Sequence, residues 1–152
     1  MAAWLALLAY GAASTAVAVI GGAAASSSAE TYARLDLPSF APPSAVFGPV
    51  WTVLYVLIAV SGWLVWRRVG LDSSMVPYVV QLVLNALWTP LFFAAGWYGV
   101  ALVEILLLFA AIAWTIAAFR VRTAIAAVLL LPYLGWVGFA TALNASIWWL
   151  NR

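Results

Sequence analysis

Five apolar runs, each bounded by glycine, proline or arginine, take up most of this chain and leave it few ways to fold. Crossing a hydrocarbon core of about 30 Å takes roughly 20 apolar residues as a helix, so five crossings use about 100 residues. The chain has 152. The remainder suffices only for short connections and one longer loop. Inside a bilayer each backbone N–H and C=O needs an internal partner, which a helix supplies within its own segment. The expected fold class is therefore an all-α integral membrane protein, a five-transmembrane-helix bundle forming a single domain over residues 1–152. Its helices lie at about residues 3–25, 46–66, 76–95, 98–119 and 124–150, with a long first loop at 26–45.

Composition excludes several functions. Hydrophobic residues make up 68% of the chain and charged residues 7%, against about a quarter charged in soluble domains; the mean hydropathy is +1.14. The net charge of +2 comes from six arginines and four acids, too few and too scattered for a nucleic-acid surface. With no cysteine and no histidine, disulfides, thiolate nucleophiles, Ser-His-Asp chemistry, Cys/His zinc sites and the common strong haem ligands are ruled out. No metal site or required cofactor is expected. A tetrapyrrole here would have to be held by stacking and hydrogen bonds.

The first run ends in Ala23-Ala24-Ala25, which resembles a signal-peptidase site. The run is too long for a signal sequence and lacks a basic start, so it reads as a retained helix. Its Gly21-Gly22 pair and the spacings Ala12/Ala16 and Ala18/Gly22 suit close packing within the bundle, with dimerisation as the alternative. The polar, proline-bearing stretch 26–45 reads as irregular, and its length makes it a candidate lid or binding loop. Arg67, Arg68, Arg120 and Arg122 fall in the second and fourth loops, whereas the other side has Arg34 and Arg152. By the positive-inside rule the N-terminus is cytoplasmic, and the first loop and C-terminus lie outside.

Polar side chains at membrane depth are the candidates for function. Gln81, Asn85, Trp88 and Phe92 share one face of the third span, and Tyr133, Trp136, Ala140 and Asn144 one face of the fifth. Trp51 and Tyr55 stand one turn apart where the chain re-enters the membrane. These groups can converge beneath the first loop, as a pocket walled by indoles, floored by amides and covered by Tyr32, Phe40 and Pro42-Pro43. The bland alternative for Gln81 and Asn144 is a hydrogen bond between helices. Of the ten tryptophans, Trp4, Trp63, Trp66, Trp97, Trp148 and Trp149 sit near helix ends, where indoles favour the interface. Trp51 and Trp136 are the expected ligand-stacking residues, and Trp88 and Trp114 the expected packing residues. Glu104, near the start of its span, is expected to reach water or the helix N-terminus in a structural role, with a proton or ligand role as the alternative. Pro90 and Pro132 lie inside helices and predict kinks.

Pro38-Ser39-Phe40-Ala41-Pro42-Pro43 and Phe47-Gly48-Pro49-Val50-Trp51-Thr52 with Leu54-Tyr55 resemble the loop and second-helix signature of the tryptophan-rich sensory protein / translocator protein (TspO/MBR) family. Gln81-Leu82 with Asn85, Trp88 and Phe92-Phe93, then Ala101-Leu102-Val103-Glu104, look like its third helix and the start of its fourth. Pro132-Tyr133, Trp136-Val137, Phe139-Ala140 and Leu143-Asn144 resemble its fifth. The resemblance implies a five-helix bundle, commonly a homodimer, in a bacterial cell membrane. It implies a pocket under the first loop for porphyrins, sterols or synthetic aromatic ligands, lined at the matching positions by Trp51, Asn85, Trp136 and Ala140.

Three departures weaken parts of this likeness. Thr31 precedes Tyr32 where the family often has tryptophan, and Leu37 stands where it often has lysine, which leaves Arg34 to meet a ligand carboxylate. Ala145 replaces the tyrosine of the animal sterol motif, which favours a tetrapyrrole over a sterol. The full set of expected ligand residues is Tyr32, Trp51, Tyr55, Gln81, Asn85, Phe92, Trp136, Ala140 and Asn144, with protoporphyrin or a related tetrapyrrole as ligand. The leading expectation is a porphyrin-binding sensor. Its rivals are a light- and oxygen-dependent porphyrin degrader using Trp51 and Trp136 as radical partners, and a transporter. Transport fits poorly, because five helices do not divide into the repeats common in transporters.

Overall fold

The computed structural model describes residues 2–24 and 28–152. Five helices are long and apolar enough to cross a membrane. They are α1 (Ala2–Ala24), α3 (Phe47–Val69), α4 (Met75–Thr89) with a π-helical extension (Pro90–Ala94), α5 (Tyr98–Arg120), and the pair α6 (Ala124–Leu129) and α7 (Leu131–Leu150), which form one span. No strand occurs among the described residues. The expected junction of first helix and first loop, at residues 25–27, lies outside the described residues, as do the surroundings of Gly22.

The first loop is not wholly irregular. Ser28–Ala33 forms a short helix, α2, which carries Glu30 in its first turn and an Arg34–Glu30 ion pair one turn apart. A serine and a threonine among its six residues hid this helix in the sequence, although an acid in the first turn suits a helix start.

Both interior prolines break their helices. At Pro90 the ring removes an N–H, and the chain passes into wider turns, with Ala95 N–H donating to the Pro90 carbonyl at 2.9 Å. At Pro132 the break falls two residues earlier, where Leu130 joins α6 to α7 with φ −89° and ψ −9°. Gly96, at φ +65°, turns the chain from the π-helical extension into α5.

The core sits where α4 and α7 pack on α5, around Ile58, Ile105, Leu108, Ile112, Tyr133 and Ile147. The α5 stripe of Ala101, Glu104, Ile105, Leu108, Ile112 and Thr115 is buried, and Trp114 falls on the opposite face. Trp114 is 53% exposed, so it meets lipid rather than packing in the bundle as expected. On α1 the inward stripe is Tyr10, Ser14, Val17, Ala18 and Gly21, which turns Ala12 and Ala16 outward. These two alanines are therefore exposed, contrary to their reading as bundle contacts.

Side chains tie the helices together away from the loop. Ser61 Oγ donates to the Ala126 carbonyl at 2.7 Å, and Trp63 Nε1 to the Ala3 carbonyl at 2.9 Å. Arg122 pairs with Asp72 at 2.6 Å, joining the α3–α4 and α5–α6 turns. Bonds from Ser74 to the Asp72 carboxylate, with the Arg122 charge, hold its pKa below the ordinary value.

Candidate functional site

A cavity of about 310 Å³ opens beneath α2, between α1, α3 and the end of α4. Its geometry follows from the order of residues on α3. Phe47, Trp51 and Tyr55 recur every fourth residue and so line up on one face, and all three reach the cavity. The Trp51 and Tyr55 rings stack with centroids 5.5 Å apart and 27° between planes. Gly48 and Thr52 fill the same wall between the rings, and Trp88, Thr89 and Phe93 close it from α4. On the α1 side the wall is Ala18 and Gly21, residues with almost no side chain.

The roof is the short helix of the first loop. Tyr32 is buried, lines the cavity, donates its hydroxyl to the Pro42 carbonyl at 2.9 Å and meets Phe47 edge-on at 5.5 Å. Burial raises the Tyr32 phenol above its usual pKa, which keeps it neutral and able to donate. Phe40 packs on Phe139 of α7 at 6.1 Å. The loop is also tied to the end of α7: Asn151 Oδ1 accepts from the Asp36 N–H and Asn151 Nδ2 donates to the Asp36 carbonyl, both at 3.0 Å.

The structure brings Tyr32, Trp51 and Tyr55 together on the cavity and sets the other six expected residues behind them. Asn85 accepts from the Tyr55 hydroxyl at 3.0 Å and donates to Tyr133 at 2.6 Å, and Tyr133 donates to Gln81 Oε1 at 2.8 Å. Asn144 accepts from Trp88 Nε1 at 3.1 Å and donates to the Tyr98 carbonyl at 2.9 Å. Phe92 stacks on Trp88 at 5.1 Å, and Ala140 is buried in the core. Trp136 stands behind Phe47, edge-on at 5.9 Å, with its indole N–H buried and without an acceptor. The amides thus bond tyrosine hydroxyls, an indole and a backbone carbonyl instead of flooring the cavity, since a buried amide seeks any partner at its own depth.

Phe47, Gly48, Thr52, Thr89 and Phe93 line the cavity and escaped nomination, though Phe47, Gly48 and Thr52 all lie in the second-helix signature. For Phe47 the available signal was its four-residue spacing from Trp51. Ala18 and Gly21 were visible only as small residues suited to helix contact. Glu104 departs from expectation, being 7% exposed with neither carboxylate oxygen bonded, so it does not reach water. No cluster of metal-ligating side chains occurs among the described residues.

What the site offers chemically is an apolar slot with stacked rings, a neutral phenol overhead and a hydroxyl anchored to buried amides. Among the described residues its wall carries hydroxyls but no carboxylate to activate them and no cation.

The TspO/MBR family model matches residues 3–150. The chain belongs to the TspO/MBR family. It is similar to the translocator protein of Homo sapiens, 43% identical over 122 residues that cover 77% of this chain and 72% of that one. It is similar to the tryptophan-rich protein TspO of Archaeoglobus fulgidus, 42% identical over 122 residues and 79% of each chain. The tryptophan-rich sensory protein of Cereibacter sphaeroides is 36% identical over 122 residues, 80% of this chain and 77% of its own. Membership in the family fixes the bundle as an integral membrane protein, in agreement with its five apolar helices.

Proposed function

We propose that this TspO/MBR family member binds a flat hydrophobic ligand of the tetrapyrrole class in the cavity beneath α2, acting as a membrane porphyrin sensor or regulator. The stacked Trp51–Tyr55 pair on the cavity wall carries the reading. An aromatic pair at that separation presents an extended π face, and offset stacking adds about 0.5–1.5 kcal/mol beyond area burial. Its volume of about 310 Å³ is at the low end of the roughly 300–1,000 Å³ of small-molecule sites. A tetrapyrrole would therefore insert one edge, with α2 displaced to admit the rest. Hydrolytic or other acid-base chemistry finds no support, because the described wall carries no carboxylate or cation.

The test is a titration of the detergent-purified protein with protoporphyrin IX, following tryptophan quenching, beside Trp51→Phe, Trp136→Phe and an unrelated membrane protein. Saturable quenching that weakens in Trp51→Phe supports the site. Equal quenching in every sample means partitioning into the detergent and rejects it. Trp136→Phe should weaken binding less, since Phe47 stands between that indole and the cavity.

A second reading, breakdown of the porphyrin in light and oxygen, is favoured by the place of Trp51 on the wall, where an electron-rich indole would touch the ligand. Loss of bound porphyrin absorbance in light but not in darkness, absent from Trp51→Phe, would support it. In either reading the four arginines at one end favour, by the positive-inside rule, a cavity on the side away from the cytoplasm of a bacterial cell membrane. The family resemblance suggests a homodimer. Labelling of single cysteines at Ser39 and Arg120 from each side, and light scattering of the purified protein, check orientation and assembly.

A further inference from the structure

The polar side chains behind the cavity all donate in one direction. Tyr55 donates to Asn85, Asn85 to Tyr133 and Tyr133 to Gln81, so the sequence of donors runs from the cavity wall inward. It stops on Gln81 Nε2, a buried donor with no acceptor. Glu104 presents the opposite defect, two buried carboxylate oxygens with no donor. Gln81 is 1% exposed and Glu104 7%, so bulk water relieves neither.

The two defects lie at the same depth. Trp88, Asn144 and the Tyr98 carbonyl are joined by hydrogen bonds and mark one level of the bundle. Counting 1.5 Å per residue from that level, Asn85 and Gln81 lie about 4.5 and 10.5 Å along α4, and Glu104 about 9 Å along α5. Glu104 therefore stands between the two amides in depth, on the α5 face that packs against α4 and α7. Glu104 and Tyr133 are both buried, on helices that pack against each other. The other titratable groups on the elements packed against α5 are Tyr78 of α4 and Tyr133 of α7; α6 and the π-helical turn carry none. The arginines all lie beyond or at the ends of the spans, so no cation faces the carboxyl.

We propose that Glu104 is a positioning residue that sets the hydrogen-bonding sense of the cavity wall, acting on Tyr55 through Gln81, Tyr133 and Asn85, with a buried water completing the link from Gln81 Nε2. This rests on the cavity being a ligand site. An ionised Glu104 accepts only, which holds every donor in the observed direction and leaves the Tyr55 oxygen an acceptor. A protonated Glu104 can donate. The Gln81 and Asn85 amides can then turn over, Tyr133 donates to Asn85, and Asn85 donates to Tyr55. The Tyr55 O–H is released to donate to an acceptor on the ligand. Amides do not relay protons here; they pass on orientation, as cooperative hydrogen-bond chains do. Protonation of one core carboxyl thereby changes which ligands suit the wall.

The test uses protoporphyrin IX dimethyl ester, whose ester carbonyls accept hydrogen bonds and do not titrate, with the full chain in detergent from about pH 5 to about pH 9. Wild type should bind it about tenfold more tightly at the acid end, within the usual range of coupling between sites. Glu104→Gln and Tyr55→Phe should bind it with no dependence on pH. Saturable wild-type binding without a pH slope, or a slope that persists in Glu104→Gln, overturns the proposal.

If no saturable binding occurs at all, it is the cavity reading that fails. Infrared spectra of the unliganded protein then decide the link by themselves. A carboxyl band that titrates, is missing in Glu104→Gln and moves in Gln81→Leu supports it, and a band indifferent to Gln81→Leu overturns it.

Discussion

The Asn151 side-chain amide brackets the backbone of Asp36, accepting from its N–H and donating to its carbonyl at 3.0 Å each. A third bond, from Asn151 Nδ2 to the Ile147 carbonyl at 2.8 Å, seats the amide on the last turn of α7. The first loop is thus fastened at a point well away from Tyr32, the residue it lowers over the cavity. Each such bond contributes about 0.5–1.5 kcal/mol net. Asn151→Ala should speed hydrogen exchange at the Asp36 amide and raise the dissociation rate of bound porphyrin several-fold, with thermal unfolding of the helices little changed. Exchange mass spectrometry and stopped-flow quenching read the two effects.

Asn144→Ala acts on the bundle itself. It leaves the buried Trp88 Nε1 without its acceptor and removes the bond to the Tyr98 carbonyl, at about 1–3 kcal/mol for an orphaned buried group. Unfolding in detergent, followed by tryptophan fluorescence, should show a clearly lower midpoint. Asn144→Gln would not restore it, because the added methylene moves the amide off both partners.

Gly62 has no room for a side chain. A Cβ there would lie 2.5 Å from Tyr78 Cζ, and the Tyr78 ring is held by its hydroxyl on the Ile58 carbonyl at 2.9 Å. Gly62→Ala should destabilise by about 1–3 kcal/mol, as overpacking does. Gly62→Ala combined with Tyr78→Phe should recover part of the loss, since the ring is then free to shift.

Asp72 makes the fold sensitive to acid at one turn. Its carboxylate is held below the usual range first by Ser74 and then by Arg122. A depressed folded-state pKa adds stability above the unfolded value, and that contribution is lost as pH falls through the folded one. The loss should therefore fall below about pH 4. Asp72→Asn should lower the unfolding midpoint near neutral pH and flatten its acid limb, as a pH series of melts would show.

Much of the architecture was legible because the bilayer permits so little: apolar length sets the spans, and prolines set the breaks at Pro90 and Pro132. Side-chain periodicity correctly grouped Gln81, Asn85, Trp88 and Phe92 on one buried face. It did not tell which of two inward directions that face takes, and so could not separate the cavity wall from the layer behind it. Trp114 was misplaced for a related reason, since depth along a helix says nothing of angle around it. The α2 helix went unread because six residues carry too little periodicity to identify. Phe47 was passed over because helix ends attract aromatic residues whether or not a site lies there.

The α1 side of the cavity consists of Ala18 and Gly21, and a methyl added at Gly21 would meet Thr89 at an ordinary 3.5 Å. That wall takes no part in the hydrogen bonds running inward from Tyr55. Ligand size and ligand chemistry are therefore written on different helices, and a lineage can narrow or widen the slot by single small substitutions while its polar readout is inherited intact.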